Sequence, residues 1–137
     1  SFLETPCSVS ASEGFSFPSI IHETAIVSES ASLSDGVIVS PMVIVGPNTK
    51  IGKLVYCNYQ VGIGHDSVIG DFTQINPGAQ IGGEVFVSPE CLIGSNSTIL
   101  QKAKLNTSIT IGSGSVILGT KNKPGTLVPH YSKYLPF

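Results

Sequence analysis

The sequence predicts an all-β protein built as a parallel β-solenoid of about six coils, with three short strands in each coil. Two observations carry this prediction. An aliphatic residue or cysteine recurs at every sixth position from Val27 to Ile117 without an insertion, and Gly, Ser or Asn follows it in fourteen of sixteen cases. A period of six differs from the 3.6 of an α-helix and the 2 of a single strand, and it extends over most of the 137 residues.

Each part of the six-residue unit has a physical reason. The large aliphatic residue points inward and stacks on its equivalent in the next coil, about 4.8 Å away at ordinary strand spacing. The residue two positions earlier is small or β-branched, as at Ala25, Thr49 and Ser67, and shares the interior. Gly, Ser and Asn are expected at the corners, because the backbone there needs conformations that β-branched residues resist. Three units close a triangular coil of about eighteen residues. A β-sandwich with coincidental strand spacing is the alternative, which the unbroken register disfavours.

The repeat divides the chain into three parts. Residues 20–121 form the solenoid, and residues 1–19 and 122–137 fall outside the pattern. We expect these two segments to flank the ends of the solenoid, where open strand edges would otherwise invite aggregation.

Composition disfavours several classes of protein. The chain has no arginine, so the bidentate contacts that nucleic-acid recognition favours are missing. Residues 1–20 contain no Lys or Arg, and no apolar stretch approaches membrane-spanning length, so we expect a cytoplasmic protein without a membrane span. Three cysteines without a CxxC spacing indicate neither a disulfide framework nor a zinc site. Cys57 and Cys91 fall on inward positions, which predicts that both are core residues.

Charge is distributed unevenly along the chain. All nine acidic residues precede residue 91, whereas five of the seven lysines follow it. A lysine-rich end can attract a small polyanion, which makes a phosphorylated cofactor a candidate ligand there, although each lysine alone is better explained as solvated surface. The candidates are Lys102, Lys104, Lys121, Lys123 and Lys133.

One histidine stands out by its place in the repeat. Of His22, His65 and His130, the second lies in the middle of the solenoid, two residues after the inward Ile63, so it should project outward from a corner. An outward imidazole contributes nothing to the core. A solvated surface histidine is the alternative to a functional one, and His22 is predicted to be structural.

The residues around His65 resemble a known family. The segment from Asn58 to Phe72, with its Gly-His-Asp-Ser-Val-Ile-Gly-Asp-Phe run, resembles the sugar acetyltransferases of bacterial glycan assembly, the sialic-acid O-acetyltransferase and bacillosamine-type N-acetyltransferase group. The resemblance extends to residues 17–27 and 123–126. It implies a left-handed parallel β-helix, a homotrimer with active sites between protomers, acetyl-CoA as acyl donor, no metal, and a nucleotide-linked amino sugar or a sialic acid as acceptor.

The resemblance also assigns roles to residues. It makes His65 the general base and Asp66 its support, and chemistry agrees, since an imidazole can take a proton from an attacking amine or hydroxyl at cellular pH. Because Cys57 and Cys91 are predicted to point inward, we expect direct transfer within a ternary complex and no acyl-cysteine. Gly83, one coil beyond His65, could polarise the thioester carbonyl through its N–H, although a plain corner glycine is the alternative.

Other site residues are predicted with structural alternatives beside them. The resemblance lays the pantetheine arm along Gly94, Ser95, Gly112 and Ser113, but turn residues explain the same pattern. Lys133, from the lysine-rich end, is a candidate for contact with the cofactor's phosphates. Candidates for acceptor contact are Asn58 and Gln74, against a structural asparagine at a corner.

The sequence departs from the family in three places. Residues 1–19 cannot supply the small α/β nucleotide-binding domain with which members usually begin, so either the chain is a fragment or its substrate lacks a nucleotide. Gln74 stands where the bacillosamine-type enzymes carry a second histidine, and residues 128–133 differ from the family's ending. A zinc-dependent γ-class carbonic anhydrase is disfavoured, since Pro47 and Gly83 offer no histidine at coil spacing from His65. A non-catalytic solenoid scaffold or degenerate acyltransferase remains the main alternative.

Overall fold

The structure, a computed structural model, describes residues 16–121 and 123–129. This part of the chain contains no helix, and eighteen two-residue strands form three parallel sheets, the faces of a triangular prism. The first face contains β1 (Ile20–Ile21), β4 (Ile38–Val39), β7 (Tyr56–Cys57), β10 (Gln74–Ile75), β13 (Leu92–Ile93), β16 (Thr110–Ile111) and β18 (Leu127–Val128). The second face contains β2 (Ile26–Val27), β5 (Ile44–Val45), β8 (Gly62–Ile63), β11 (Gln80–Ile81), β14 (Thr98–Ile99) and β17 (Val116–Ile117). The third contains β3 (Ser32–Leu33), β6 (Lys50–Ile51), β9 (Val68–Ile69), β12 (Phe86–Val87) and β15 (Lys104–Leu105).

The coil-to-coil register confirms the predicted solenoid of about six coils. Each strand pairs in parallel with the strand three places later, and the paired residues are eighteen apart, as in Gln74 opposite Leu92. The second residue of every strand from β4 to β17 is buried, which confirms the predicted inward column. In the first coil, Val27 and Leu33 are half-buried, because no coil of the described chain lies beneath them.

The small inward positions tolerate hydroxyl groups because the next coil supplies hydrogen-bond acceptors. Thr49, Ser67, Thr73 and Ser97 are fully buried. Thr49 Oγ1 donates to the Gly64 carbonyl and Ser67 Oγ to the Gly82 carbonyl, each over 3.0 Å. These two bonds tie consecutive coils together. The Ser97 hydroxyl instead donates to the Gly94 carbonyl of its own corner at 2.6 Å, and Ser115 Oγ, at the same position one coil later, is buried without a hydrogen-bond partner among the described residues.

The corners differ from the prediction that glycine, serine and asparagine supply their unusual backbone. The left-handed conformation falls three residues after the inward aliphatic, and eleven such positions are not glycine, with φ between 52° and 65°. None of the eleven is β-branched, which fits the steric argument. The glycine directly after the aliphatic has another cause, the close approach of the next coil: a Cβ on Gly64 would lie 2.5 Å from the Gly83 nitrogen.

The solenoid continues beyond the predicted boundary at residue 121. Strand β18, Leu127–Val128, pairs with β16, and the paired residues Thr110 and Leu127 are seventeen apart instead of eighteen. The one-residue loss of period puts this strand out of register with the six-residue pattern, so the pattern does not reveal it. No helix within the described ranges is long and apolar enough to cross a membrane.

Candidate active site

His65 lies on a corner between the second and third faces. It follows β8 and precedes β9, and its side chain is 50% exposed, which confirms the predicted outward orientation. We call the stack of corners formed by residues 46–48, 64–66, 82–84 and 100–102 the histidine corner. The stack of corners between the first and second faces, residues 22–24, 40–42, 58–60, 76–78, 94–96 and 112–114, is called the first corner.

The imidazole of His65 is held by its neighbour Asp66. The distance from His65 Nδ1 to Asp66 Oδ2 is 2.9 Å, and Asp66 has the left-handed φ of 55° that turns its side chain back toward the ring. The pKa of the Asp66 carboxyl lies below its ordinary value, because the imidazole and the side chain of Asn48 hydrogen-bond to it. An ionised carboxylate only accepts hydrogen bonds, so in the neutral form of the ring Nδ1 carries the hydrogen and Nε2 has the free lone pair.

The other side of the ring lies against Gly83, one coil further along. A Cβ built on Gly83 would lie 2.5 Å from Nε2, 2.8 Å from Cε1 and 2.9 Å from Cδ2 of His65. Any side chain there would displace the ring, so glycine is needed for the observed position of the imidazole. Gly83 is buried, and its N–H makes no hydrogen bond to any described residue.

Asn48 belongs to this arrangement and was missed from the sequence. It lies one coil before Asp66 on the histidine corner, and its side chain contributes to the lowered pKa of the Asp66 carboxyl. The signal that could have found it is the eighteen-residue coil period, applied backward from Asp66 as it was applied forward to Gly83.

The predicted acceptor residues lie away from His65 within one protomer. Asn58 is on the first corner and Gln74 on the first face, whereas His65 lies on the histidine corner. Asn58 Oδ1 accepts the Tyr59 N–H at 2.9 Å, and Asn106 Oδ1 accepts the Thr107 N–H at 2.7 Å in an equivalent bond. The repetition supports the structural alternative for Asn58. Gln74 Nε2 donates to Asn76 Oδ1 at 3.1 Å.

Both described cysteines are buried and free, as predicted. Burial raises the pKa of the Cys57 thiol to about 12 and also raises that of Cys91. Neither thiol is suited to act as a nucleophile, which supports the expectation of direct transfer. Among the described residues, no three His, Cys, Asp or Glu side chains are grouped so as to hold a metal ion.

No protein-family model matches the chain, and no curated protein sequence does. Solved structures do match. The acetyltransferase domain of PglB from Neisseria gonorrhoeae, also solved with acetyl coenzyme A, is 28% identical with a TM-score of 0.90 over 93% of this chain and 62% of that one. The chain has the fold of the hexapeptide-repeat sugar acetyltransferases.

Two further solved structures share this fold. A histidine-to-asparagine variant of perosamine N-acetyltransferase from Caulobacter crescentus, in complex with CoA and GDP-perosamine, is 23% identical with a TM-score of 0.90, covering 93% of this chain and 60% of that one. WeeI from Acinetobacter baumannii is 23% identical with a TM-score of 0.88, covering 93% and 62%. The chain spans about three fifths of the length of these structures.

The match also confirms the hand of the solenoid. Parallel crossover connections are normally right-handed, so the pattern of inward residues does not specify a left-handed coil. The hexapeptide-repeat acetyltransferases are left-handed β-helices, and a coil of the opposite hand could not superimpose on one of them with a TM-score of 0.90.

Within this hexapeptide-repeat fold, the predicted cofactor residues fall on two different corners. Gly83 is on the histidine corner, whereas Gly94, Ser95, Gly112 and Ser113 lie on the first corner, so one protomer does not bring them together. Gly94 is buried against the next coil, and a Cβ there would lie 2.5 Å from the Ser113 nitrogen. Lys133 lies outside the described residues.

The described lysines of the C-terminal half are near the end of the solenoid. Lys102 is on the histidine corner, two coils beyond Asp66, and Lys104 is on the third face. The Lys121 N–H donates to the Lys104 carbonyl at 2.8 Å, which brings a third lysine to the same region. These lysines therefore lie in later coils than His65, toward the C-terminal end of the solenoid.

A groove large enough for a small ligand lies on the third face, away from His65. A groove of about 410 Å³ crosses the third face, where Lys50, Asp71 and Phe86 are among its lining residues. His65 does not line it. The histidine instead projects from a convex edge, and a substrate bound there would need a second surface to enclose it.

Proposed function

We propose that this chain carries the transfer site of an acetyl-CoA-dependent acetyltransferase that acts on an amino or hydroxyl group of a sugar, with His65 as the general base. One observation carries the proposal. The 2.9 Å contact between Nδ1 and Asp66 leaves Nε2 as the proton-accepting atom, at the surface of the middle coils. No described residue hydrogen-bonds to Nε2, so an acceptor hydroxyl or amine can do so.

The reaction follows from this geometry. The sugar nitrogen or oxygen attacks the thioester carbonyl and loses its proton to Nε2, while Asp66 stabilises the imidazolium. The new C–N or C–O bond forms, the C–S bond breaks, and the proton passes from Nε2 to the departing thiolate. No acyl-enzyme forms, since the described thiols are buried.

Gly83 is the proposed donor to the carbonyl oxygen. Its N–H has no hydrogen-bond partner among the described residues, and a backbone donor at the developing oxyanion lowers the barrier. Because Gly83 lies against the imidazole ring, a carbonyl oxygen bound to its N–H would lie close to the proposed base.

The donor is proposed to be acetyl-CoA, which the PglB domain binds. Its phosphates would lie near Lys102 on the histidine corner and near Lys104 and Lys121 beside the third face, with Lys123 a further candidate by its sequence position. Lys133 stays a candidate on its sequence position alone. A cytoplasmic location, where this donor is made, stays part of the proposal.

A homotrimer could bring the histidine corner of one protomer next to the first corner of another. If the histidine corner of one protomer faces the first corner of its neighbour, Gly83 and the residues Gly94, Ser95, Gly112 and Ser113 can line one cofactor groove. Asn58 and Gln74 would reach the acceptor by the same route. The acceptor class, a nucleotide-linked amino sugar or a sialic acid, rests on the resemblance of residues 58–72.

The test is thiol release from acetyl-CoA over a panel of nucleotide-linked amino sugars, free amino sugars and sialic acids. We expect release with the wild-type chain and none with His65→Ala. The matched control is His22→Ala, an exposed histidine on the first corner whose Nδ1 contacts Thr24 Oγ1 at 2.9 Å. Equal release from the wild type and His65→Ala would refute the proposed base.

Assembly and donor binding are measured in parallel. A monomeric variant with full activity would refute the shared site. Protein that binds neither CoA nor acetyl-CoA would favour a non-catalytic scaffold.

A further inference from the structure

The groove on the third face has two walls of different chemistry. The outward residues Lys50, Val68 and Phe86 form one wall, because their strands pair in register from coil to coil. Asp71 and Pro89 form the other wall, at the corner that follows these strands. Coils are about 4.8 Å apart, so the groove extends over about 10 Å from Lys50 to Phe86. This length and the volume of about 410 Å³ suit a small molecule.

Two glycines keep the floor of the groove free of side chains. Gly52 and Gly70 lie between the two walls. Asp71 Oδ1 lies over Gly52, where any Cβ would collide with it, and a Cβ on Gly70 would lie 2.5 Å from the Pro89 nitrogen. The depression therefore follows from the stacking of the coils, and it is formed before any ligand binds.

The Asp71 carboxylate is held in place and keeps one oxygen unused. Its Oδ1 accepts the Lys53 N–H of the previous coil at 2.8 Å. Its Oδ2 has no hydrogen-bond partner among the described residues. The side chain is half-buried, so its position is constrained by its surroundings. A carboxylate oxygen of this kind can accept a hydrogen bond from a ligand hydroxyl.

The opposite wall offers a cation and an aromatic ring. Lys50 is exposed and forms no ion pair with any residue that the structure describes, so Asp71 does not neutralise it across the groove. Phe86 is 45% exposed, which leaves part of its ring for a ligand with an apolar face to cover. Apolar surface with a few polar groups around it is typical of small-molecule sites.

The balance of charge indicates the class of ligand. The groove is lined by one cation, Lys50, and one anion, Asp71. A nucleoside diphosphate would be neutralised only in part by Lys50 and repelled by Asp71. A purely apolar chain would cover both charges and leave them unpaired. A sugar acid has a single carboxylate for the lysine, hydroxyl donors for the aspartate and an apolar ring face for Phe86.

We propose that the groove on the third face binds an acidic sugar, with its carboxylate at Lys50, its hydroxyls at Asp71 and its ring against Phe86. The groove is not lined by His65, so this site is separate from the proposed transfer site. It goes beyond the proposed function and does not depend on acetyl transfer.

The experiment is a titration of the ¹⁵N-labelled protein with N-acetylneuraminic acid, followed through the backbone amide resonances. We expect the largest shifts at residues 50–52, 68–71 and 86–87. The methyl ester of the same sugar is the matched ligand, because it keeps the ring and most of the hydroxyls and lacks the charge. The His65→Ala protein should bind the acid at the groove with the affinity of the wild type.

Two variants divide the contribution of the wall between charge and ring. Lys50→Gln should weaken binding of the acid about threefold to fivefold, since an ion pair open to water is weak, and leave binding of the ester unchanged. Phe86→Ala should weaken binding of both sugars about tenfold, because both lose the apolar contact. The matched controls are Lys53→Gln, which removes a charge beside the groove and keeps the N–H to Asp71, and Ile44→Ala, which truncates a 53% exposed side chain on the second face.

The site would be overturned by shifts confined to the histidine corner, or by a loss of affinity in Lys53→Gln equal to that in Lys50→Gln. Loss of groove binding in His65→Ala would contradict its separation from the transfer site. Tighter binding of uridine diphosphate than of the sugar acid at the same amides would overturn the class of ligand. Groove binding by a protein that transfers no acetyl group would support this site and count against the proposed function.

Discussion

Gly83→Ala should inactivate the protein without unfolding it. The added Cβ would lie 2.5 Å from Nε2 of His65, whereas atoms in ordinary contact are separated by about 3.5 Å, so the ring must move by about 1 Å. The ring can do so, because it is half exposed and no core residue holds it in place. The backbone of Gly83 has no left-handed φ, so alanine itself brings no conformational strain.

The displacement should lower the rate of transfer strongly and change the stability of the fold only slightly. A shift of about 1 Å in a catalytic group can reduce the rate on the order of 10²-fold. Stability should change by less than about 1 kcal/mol, since the alanine restricts the unfolded chain and offsets the local crowding. We therefore expect kcat to fall about 10²-fold while the unfolding temperature changes little.

The control is Gly119→Ala, at the equivalent position two coils further along. A Cβ there would meet no atom within 4 Å, so it introduces the same methyl group without the contact to histidine. Thiol release and thermal unfolding are measured for both variants. Wild-type turnover by Gly83→Ala would refute the argument that the space over Gly83 is reserved for the imidazole. An equal loss in Gly119→Ala would show that the methyl group acts through the coil and not through the ring.

Three more predictions concern stability, thiol chemistry and pH. Ser67→Ala removes the buried hydroxyl that accepts the Val85 N–H and should lower the unfolding free energy by about 1–3 kcal/mol in a denaturant titration; no change would mean that these coil-to-coil bonds contribute nothing. In a Cys7→Ser background at pH 8, a thiol with a pKa of about 12 has a thiolate fraction of about 10⁻⁴, so Cys57 should resist alkylation until the protein unfolds; rapid labelling of the native protein would contradict its burial. The folded pKa of Asp66 is lowered, so its contribution to stability is present above the ordinary carboxyl pKa and is lost as pH falls through the folded value. The unfolding temperature of Asp66→Asn should lie below that of the wild type near neutral pH and converge with it in acid, and a difference that does not vary with pH would contradict this linkage.

Much of the fold could be predicted because the solenoid repeats one local rule. Inward residues such as Ile63 and Ile81 are eighteen apart in sequence and one coil apart in space, so periodicity alone identifies the core. The same rule places Gly83 beside His65 and projects the histidine outward. It fails at Leu127–Val128, where one residue is missing from the period and hydrogen bonds to β16 restore the strand.

The candidate site was less predictable because it depends on how corners stack. Gly94 and Gly112 satisfy the corner pattern as well as Gly83 does, yet they are not multiples of eighteen from it and lie on a different edge of the prism. A glycine directly after an inward aliphatic, such as Gly64, was assigned to backbone conformation, whereas in the structure it is the approach of the next coil that requires it.

Sequence alone is sufficient for the solenoid, its inward columns and the outward His65, because these follow from a short-range repeat in which each residue's place depends on its position modulo six. The orientation of the imidazole does not follow from this repeat. It depends on the contact with the neighbouring Asp66 carboxylate and on the absence of a side chain at Gly83, which coil stacking places against the ring. Side-chain direction at a corner is set by φ and by neighbours eighteen residues away, and these contacts exist in the folded chain alone.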